Sequence, residues 1–303
     1  MTYSIVARDG ATGQLGVAAQ SCYFALGSVL PWARAGVGAV ATQSMVDPGY
    51  GPRCLDLLAA GVGAADALAQ VRAADDGREV RQVGVASATG EVASFTGSMC
   101  IDHVDNAAGD GYSAQANMMA GDGVCGAMAS AFESTPGSLA TRLVAALVAA
   151  EGMGGDARGQ MSAALIVVEG TRRDHPWEGV LTEIRVDHHP APLVELARLA
   201  RVAEAYHLCD VAEEALVRGD VAGALAGSEA GLALLPGEGN LLLSYIGALI
   251  GAGRTDEAAA EVQKLVASRP PWEGVLRALI DRGMVPMPEG VTLDTLLQAR
   301  PDG

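Results

Sequence analysis

Glycine and turn residues cut the first 190 residues into short runs, and the first two runs lie too close together for a crossover helix to fit between them. Residues 2–9 (TYSIVARD) and 14–21 (QLGVAAQS) flank Gly10-Ala11-Thr12-Gly13, the pattern of a β-hairpin closed by a glycine-containing loop. A third strand is expected over 36–46 (GVGAVATQSMV). The chain then breaks at Pro48-Gly49-Tyr50-Gly51-Pro52, and a helical pattern runs from Arg53 to Ala60 and resumes over 64–74. Strands follow at 80–87 and 91–97, split by Ala88-Thr89-Gly90, and 111–118 reads as extended. Helical periodicity covers 123–134 and 138–151, with Ser138 as N-cap. The β-branched run at 160–169 is a buried strand with 180–187 as its partner. Strands, then helices, then strands again predict an α+β layered domain rather than a βαβ alternation, which excludes a Rossmann fold.

The pattern changes at Pro190-Ala191-Pro192, so a first domain is expected over 1–189 and a second over 190–303. The second is helical to about residue 285 and carries an internal repeat. Leu216, Gly219, Ala224 and Pro236 recur as Ile250, Gly253, Ala258 and Pro270, each pair 34 residues apart. That period, with glycine at the inter-helix turn, a small residue inside the second helix and a closing proline, predicts an all-α tetratricopeptide-like domain. Such hairpins serve as interaction surfaces, so a protein partner and homo-oligomerisation are assigned to this half.

Charge narrows the function further. With 36 acidic against 20 basic side chains the formal charge is −16, which repels nucleic acid and acidic membranes alike. The only lysine is Lys264, so no lysine base is available in the first two thirds of the chain. Cys22, Cys54, Cys100, Cys125 and Cys209 form an odd set without a CxxC pair, as expected of thiols in a reducing compartment. No secretory leader or membrane span is evident, and a cytoplasmic location is expected. Cys100 and His103 lack further ligands at useful spacing. The GVGAV run lacks a full dinucleotide fingerprint, so neither metal nor cofactor is expected.

Thr2 is the most informative residue. Removal of Met1 would leave a terminal threonine at the tip of the first strand, joining a hydroxyl nucleophile to an α-amine. That amine has an ordinary pKa of about 7.7–8.0, so a useful fraction is neutral and accepts the hydroxyl proton. The absence of GxSxG and SxxK motifs fits a nucleophile that carries its own base. Ser4 shares a strand face with Thr2 and stands ready to assist it or to replace it as nucleophile. Ser21, at the end of the second strand, is a candidate for lining the cleft.

The segments TYSIVARDGATGQLGVAAQS, PWARAGVGAVATQ, YGPRCLDLLAAG, RQVGV, QANMMAG, AFE and GGDARGQMSAAL, taken in order, resemble the bacterial family known as domain of unknown function 1028, which is similar to the N-terminal-nucleophile hydrolases. The resemblance implies a four-layer αββα sandwich, with two sheets between helical layers. It also implies roles position by position. Thr2 matches the nucleophile. Arg34 matches the cation that proteasome-type members place near the amine, acting here electrostatically because arginine does not deprotonate. Gln43 and Ser44 match the strand end that supplies an oxyanion N–H. Asp156 and Ser162 resemble the pair that orients the terminal amine, at a longer spacing. Asn117 stands where the family has Gln-Gly-Asn, with Ala116 in place of the glycine, and is a candidate oxyanion donor. The implied function is hydrolysis of a small-molecule amide through a threonyl ester. The alternative is a non-catalytic scaffold acting through its helices.

Overall fold

The computed structural model describes residues 2–175, 177–285 and 287–299, and the chain divides into compact units at residues 1–200 and 201–303. The first unit opens with the hairpin of β1 (Thr2–Arg8) and β2 (Leu15–Ser21). Asp9 fixes its loop, accepting hydrogen bonds from the backbone N–H groups of Ala11 and Thr12 at 3.0 and 2.7 Å, an Asx turn that sets the strand register. Strands β3 (Pro31–Arg34) and β4 (Gly38–Ser44) come next, then helices α1 (Tyr50–Ala59) and α2 (Ala64–Ala73). The chain continues through β5 (Arg81–Ser87), β6 (Val92–Thr96), β7 (Asp105–Gly109) and β8 (Tyr112–Asn117). Helices α3 (Val124–Ser134) and α4 (Leu139–Gly152) then lead to β9 (Ser162–Val168) and β10 (Val180–Val186).

These strands form two wholly antiparallel sheets, one of six strands in the order β10-β9-β2-β1-β8-β7 and one of four in the order β3-β4-β5-β6. Both faces of each sheet are covered, which is why the central strands read as near-continuous apolar runs. Along β1, side chains alternate between two different cores. Tyr3, Ile5 and Ala7 pack with Met128 and Phe132 of α3 and Leu143 and Leu147 of α4. Val6 points the other way, into a cluster with Val17, Ala19, Ala39, Ala41 and Ala86 from the two sheets. On the far side of the four-stranded sheet, Val40, Val83 and Val85 meet Leu55 and Leu58 of α1 and Leu68 and Val71 of α2.

Helix α5 (Pro192–Val217) follows. Leu193, Leu196 and Ala200 in its first turns belong to the core of the first unit. The second unit continues with α6 (Val221–Leu234), α7 (Gly239–Gly251), α8 (Thr255–Ser268), α9 (Trp272–Asp281) and α10 (Leu293–Gln298). The repeated glycines end α5 and α7 in the left-handed conformation, Gly219 at φ 80° and Gly253 at φ 72°, a stop that glycine makes without a Cβ penalty. The repeated Ala224 and Ala258 are buried inside α6 and α8.

Ser138 caps α4 as expected, its hydroxyl accepting from the Thr141 N–H at 3.3 Å. Strands β3 and β7 go beyond the pattern read from the sequence. Ser138→Ala is expected to lower unfolding free energy by about 1 kcal/mol, and Ser138→Asp to preserve it, as read from urea denaturation.

Candidate active site

Antiparallel pairing gathers particular strand ends at one edge of the inter-sheet space. Thr2 at the start of β1 lies opposite Asn117 at the end of β8, and Ser21 at the end of β2 lies opposite Ser162 at the start of β9. In the other sheet, Ser44 at the end of β4 faces Arg81 at the start of β5. A cavity of about 420 Å³ opens there, and Thr2, Ser21, Gln43, Ser44 and Asn117 all line it. Its volume falls within the range of small-molecule sites.

On and behind this wall lies a layer of buried polar side chains, most of them amides. Ser4, Gln43, Gln82, Gln115 and Asn117 are at most 1% exposed. The Ser4 hydroxyl donates to Gln43 Oε1 at 2.6 Å and accepts from Gln115 Nε2 at 2.6 Å. Gln43 Nε2 donates to Gln82 Oε1 at 2.7 Å and to the Thr2 carbonyl at 3.2 Å. Asn117 Nδ2 donates to the same Gln82 oxygen at 2.9 Å, while Gln82 Nε2 reaches the Ala116 carbonyl at 2.9 Å. Gly84 makes room for this network, because a Cβ there would overlap the Gln115 amide. Unpaired, each of these groups would cost on the order of 1–3 kcal/mol. Together they bind β1 to the opposite sheet at the residue that carries the candidate nucleophile.

Thr2 is 7% exposed, and its Oγ1 donates to Ser21 Oγ at 3.1 Å. Two cavity residues at strand ends, Ser44 as the last residue of β4 and Met118 just after β8, adopt left-handed backbone with φ of 69° and 57°. Such conformations cost side-chain-bearing residues on the order of 1 kcal/mol or more and concentrate where a chain must present particular groups.

Four other expected site residues lie outside the cavity lining. Ser4 is wholly buried with its hydroxyl committed as both donor and acceptor, which makes it part of the framework rather than an attacking group. Arg34 pairs with Gly38, at the opposite end of β4 from Ser44, roughly 20 Å along the strand. Its guanidinium bonds Asp56 at 2.9 Å, and it lines a separate hollow of about 200 Å³ with Arg172 and Arg173. Asp156 is buried behind the wall, where it accepts from the N–H groups of Cys22 at 3.0 Å and Arg158 at 2.9 Å and from the Arg158 guanidinium. Ser162 donates to the Tyr23 carbonyl at 2.5 Å and accepts from the Leu26 N–H at 3.3 Å. Asp156 and Ser162 thus brace the segment after β2 that supplies Tyr23 and Leu26 to the cavity.

Arg81 belongs to the wall although sequence reasoning passed over it. Its Nε donates to Asp75 at 3.0 Å and its Nη1 to the Met45 carbonyl at 2.5 Å. The only available signal was its place near the start of the strand expected over 80–87. The bond from Arg81, joined by those from Gly77 and Tyr50, holds the Asp75 carboxyl below its ordinary range against the opposing effect of burial. A lowered folded-state pKa contributes stability above the unfolded value, near 3.9, and loses it as pH falls through the folded value. Asp75→Asn is expected to cost about 2 kcal/mol at pH 7, with the gap to wild type closing below about pH 4 in urea melts across pH.

The first unit is thus a mixed α/β structure of antiparallel sheets and helices with a cavity at its strand ends. Residues 2–196 match the model of a family of unknown function, DUF1028, and the chain belongs to that family. The crystal structure of protein SPO2555 from Silicibacter pomeroyi, family model DUF1028, is 32% identical to it, with a TM-score of 0.59. The match covers 67% of this chain and 88% of that one. A search of curated proteins finds no match.

Proposed function

We propose that the protein is an N-terminal-nucleophile amidohydrolase. In this reading the first unit is the four-layer αββα sandwich of that superfamily, consistent with its three successive cores of helix on sheet, sheet on sheet and sheet on helix. The observation that carries the proposal is the Thr2 hydroxyl at a strand tip, on the wall of a cavity and held by Ser21.

The chemistry follows from that position. After removal of Met1 the Thr2 α-amine takes the Oγ1 proton, and Oγ1 bonds to the amide carbonyl carbon of the substrate. Donors at the end of β4, where the backbone turns at Ser44, and the Asn117 amide stabilise the oxyanion. The C–N bond then breaks, the leaving amine takes the proton held by the Thr2 ammonium, and a threonyl ester remains. Water adds to that ester with the Thr2 amine again as base, releasing the carboxylic acid and restoring the hydroxyl. Ser21 orients the Thr2 hydroxyl.

The helical region is read as tetratricopeptide-like, supported by the paired turns at Gly219 and Gly253 and the buried Ala224 and Ala258. Its function would be self-association or binding of a protein partner.

Intact-mass measurement should find the protein without Met1. In a screen of small amides and lactams, Thr2→Ala should lose turnover by at least about 10³-fold while remaining folded, and Thr2→Ser should retain activity and accumulate an acyl-enzyme detectable by mass. Retained Met1, or equal turnover by Thr2→Ala, rejects the proposal.

A further inference from the structure

The charge lining the cavity runs against that of the chain. The protein carries a formal charge of −16, yet the only charged side chains on the cavity wall, among the described residues, are Arg81 and Arg158. Their carboxylate partners lie behind the wall. The Asp156 side chain is 0% exposed while that of Arg158 is 40% exposed, and Asp75 is 12% exposed against 19% for Arg81. Each ion pair therefore turns its positive end to the cavity and is pinned from behind by its negative end. Arg81 spends Nε on Asp75 and Nη1 on the Met45 carbonyl, a fixed guanidinium of the kind that recognises carboxylates with little loss of side-chain entropy. In a strongly acidic protein, a neutral substrate requires no such local reversal, whereas an anion does.

Much of the rest of the wall, away from the polar strand ends, is apolar. Leu26, Leu30 and Met118 line the cavity, and so do Met45, Met99 and Ile101, which are 62%, 68% and 56% exposed. Large apolar side chains left open beside a cavity are a surface that a ligand covers, and methionine adapts to varied shapes.

We infer that the cavity binds small amides bearing a free carboxylate and an apolar group, of the N-acyl amino acid type. The carboxylate lies against Arg81 and Arg158, and the apolar group against Met45, Met99 and Ile101. As a statement about substrate it rests on the hydrolase reading, but as a statement about binding it is separable from it.

The test uses the full-length Thr2→Ala protein, in which binding is read without turnover. Calorimetry compares N-acetyl-L-methionine, N-acetyl-L-leucine and N-acetyl-L-phenylalanine with the corresponding neutral carboxamides. The carboxylates are expected to bind about tenfold or more tightly, the size of one charge-assisted hydrogen bond. Adding Arg158→Gln should shrink that preference to about threefold or less, and Arg158→Lys should restore part of it. Equal or stronger binding of the carboxamides, or no binding of any carboxylate at millimolar concentration, overturns the inference whether or not the variants fold. Turnover of the same six compounds by the processed wild type separates the two readings. Charge-selective binding with no turnover rejects the hydrolase and leaves the anion site, whereas faster turnover of the neutral compounds rejects the anion site and leaves the hydrolase.

Discussion

The buried amides between the sheets are the constraint on which the rest depends. Over most of their facing surface the two sheets meet through Val6, Val17 and small alanines, contacts with little directional preference. At one edge the surface becomes polar, and each amide there must find a partner of fixed geometry because water is excluded. The Gln43 bond to the Thr2 carbonyl and the Gln82 bonds to Asn117 and Ala116 couple β1, β8, β4 and β5 into one arrangement. A sliding movement of one sheet over the other breaks several of these bonds at once. The position of Thr2 is consequently a property of two sheets rather than of one strand.

Much of the fold was legible because its determinants are local. The hairpin loop, the Ser138 cap and the glycine stops of the helical repeat each depend on a few neighbouring residues. Strands β3 and β7 lack such signals. The first has four residues and begins with proline, and the second reads Asp-Asn-Ala-Ala-Gly, poor in the β-branched and aromatic residues that favour strands. Both lie at sheet edges, where pairing with a single neighbour decides the conformation.

The site divides in the same way. Thr2, Ser21, Gln43, Ser44 and Asn117 were legible as strand-end residues, and antiparallel register brings them together. Gln82 and Gln115 were not, because a glutamine in an alternating strand reads as solvent-facing unless a second sheet is known to cover it. Arg34 lies away from the cavity. It was assigned from the resemblance alone, and antiparallel pairing sets it opposite Gly38, at the far end of β4 from Ser44. Asp156 and Ser162 act one step removed from the expected place, on the segment that forms the wall rather than on Thr2.

The amide framework is carried by strands, whereas Tyr23, Met45, Met99, Ile101 and Arg158 come from the connections between elements. Under the proposed function, selectivity can therefore be retailored by exchanging residues in those connections, or altering their lengths, while Thr2 stays where the sheets hold it. What shapes the cavity and what fixes Thr2 thus belong to different parts of the chain, and one can vary without disturbing the other.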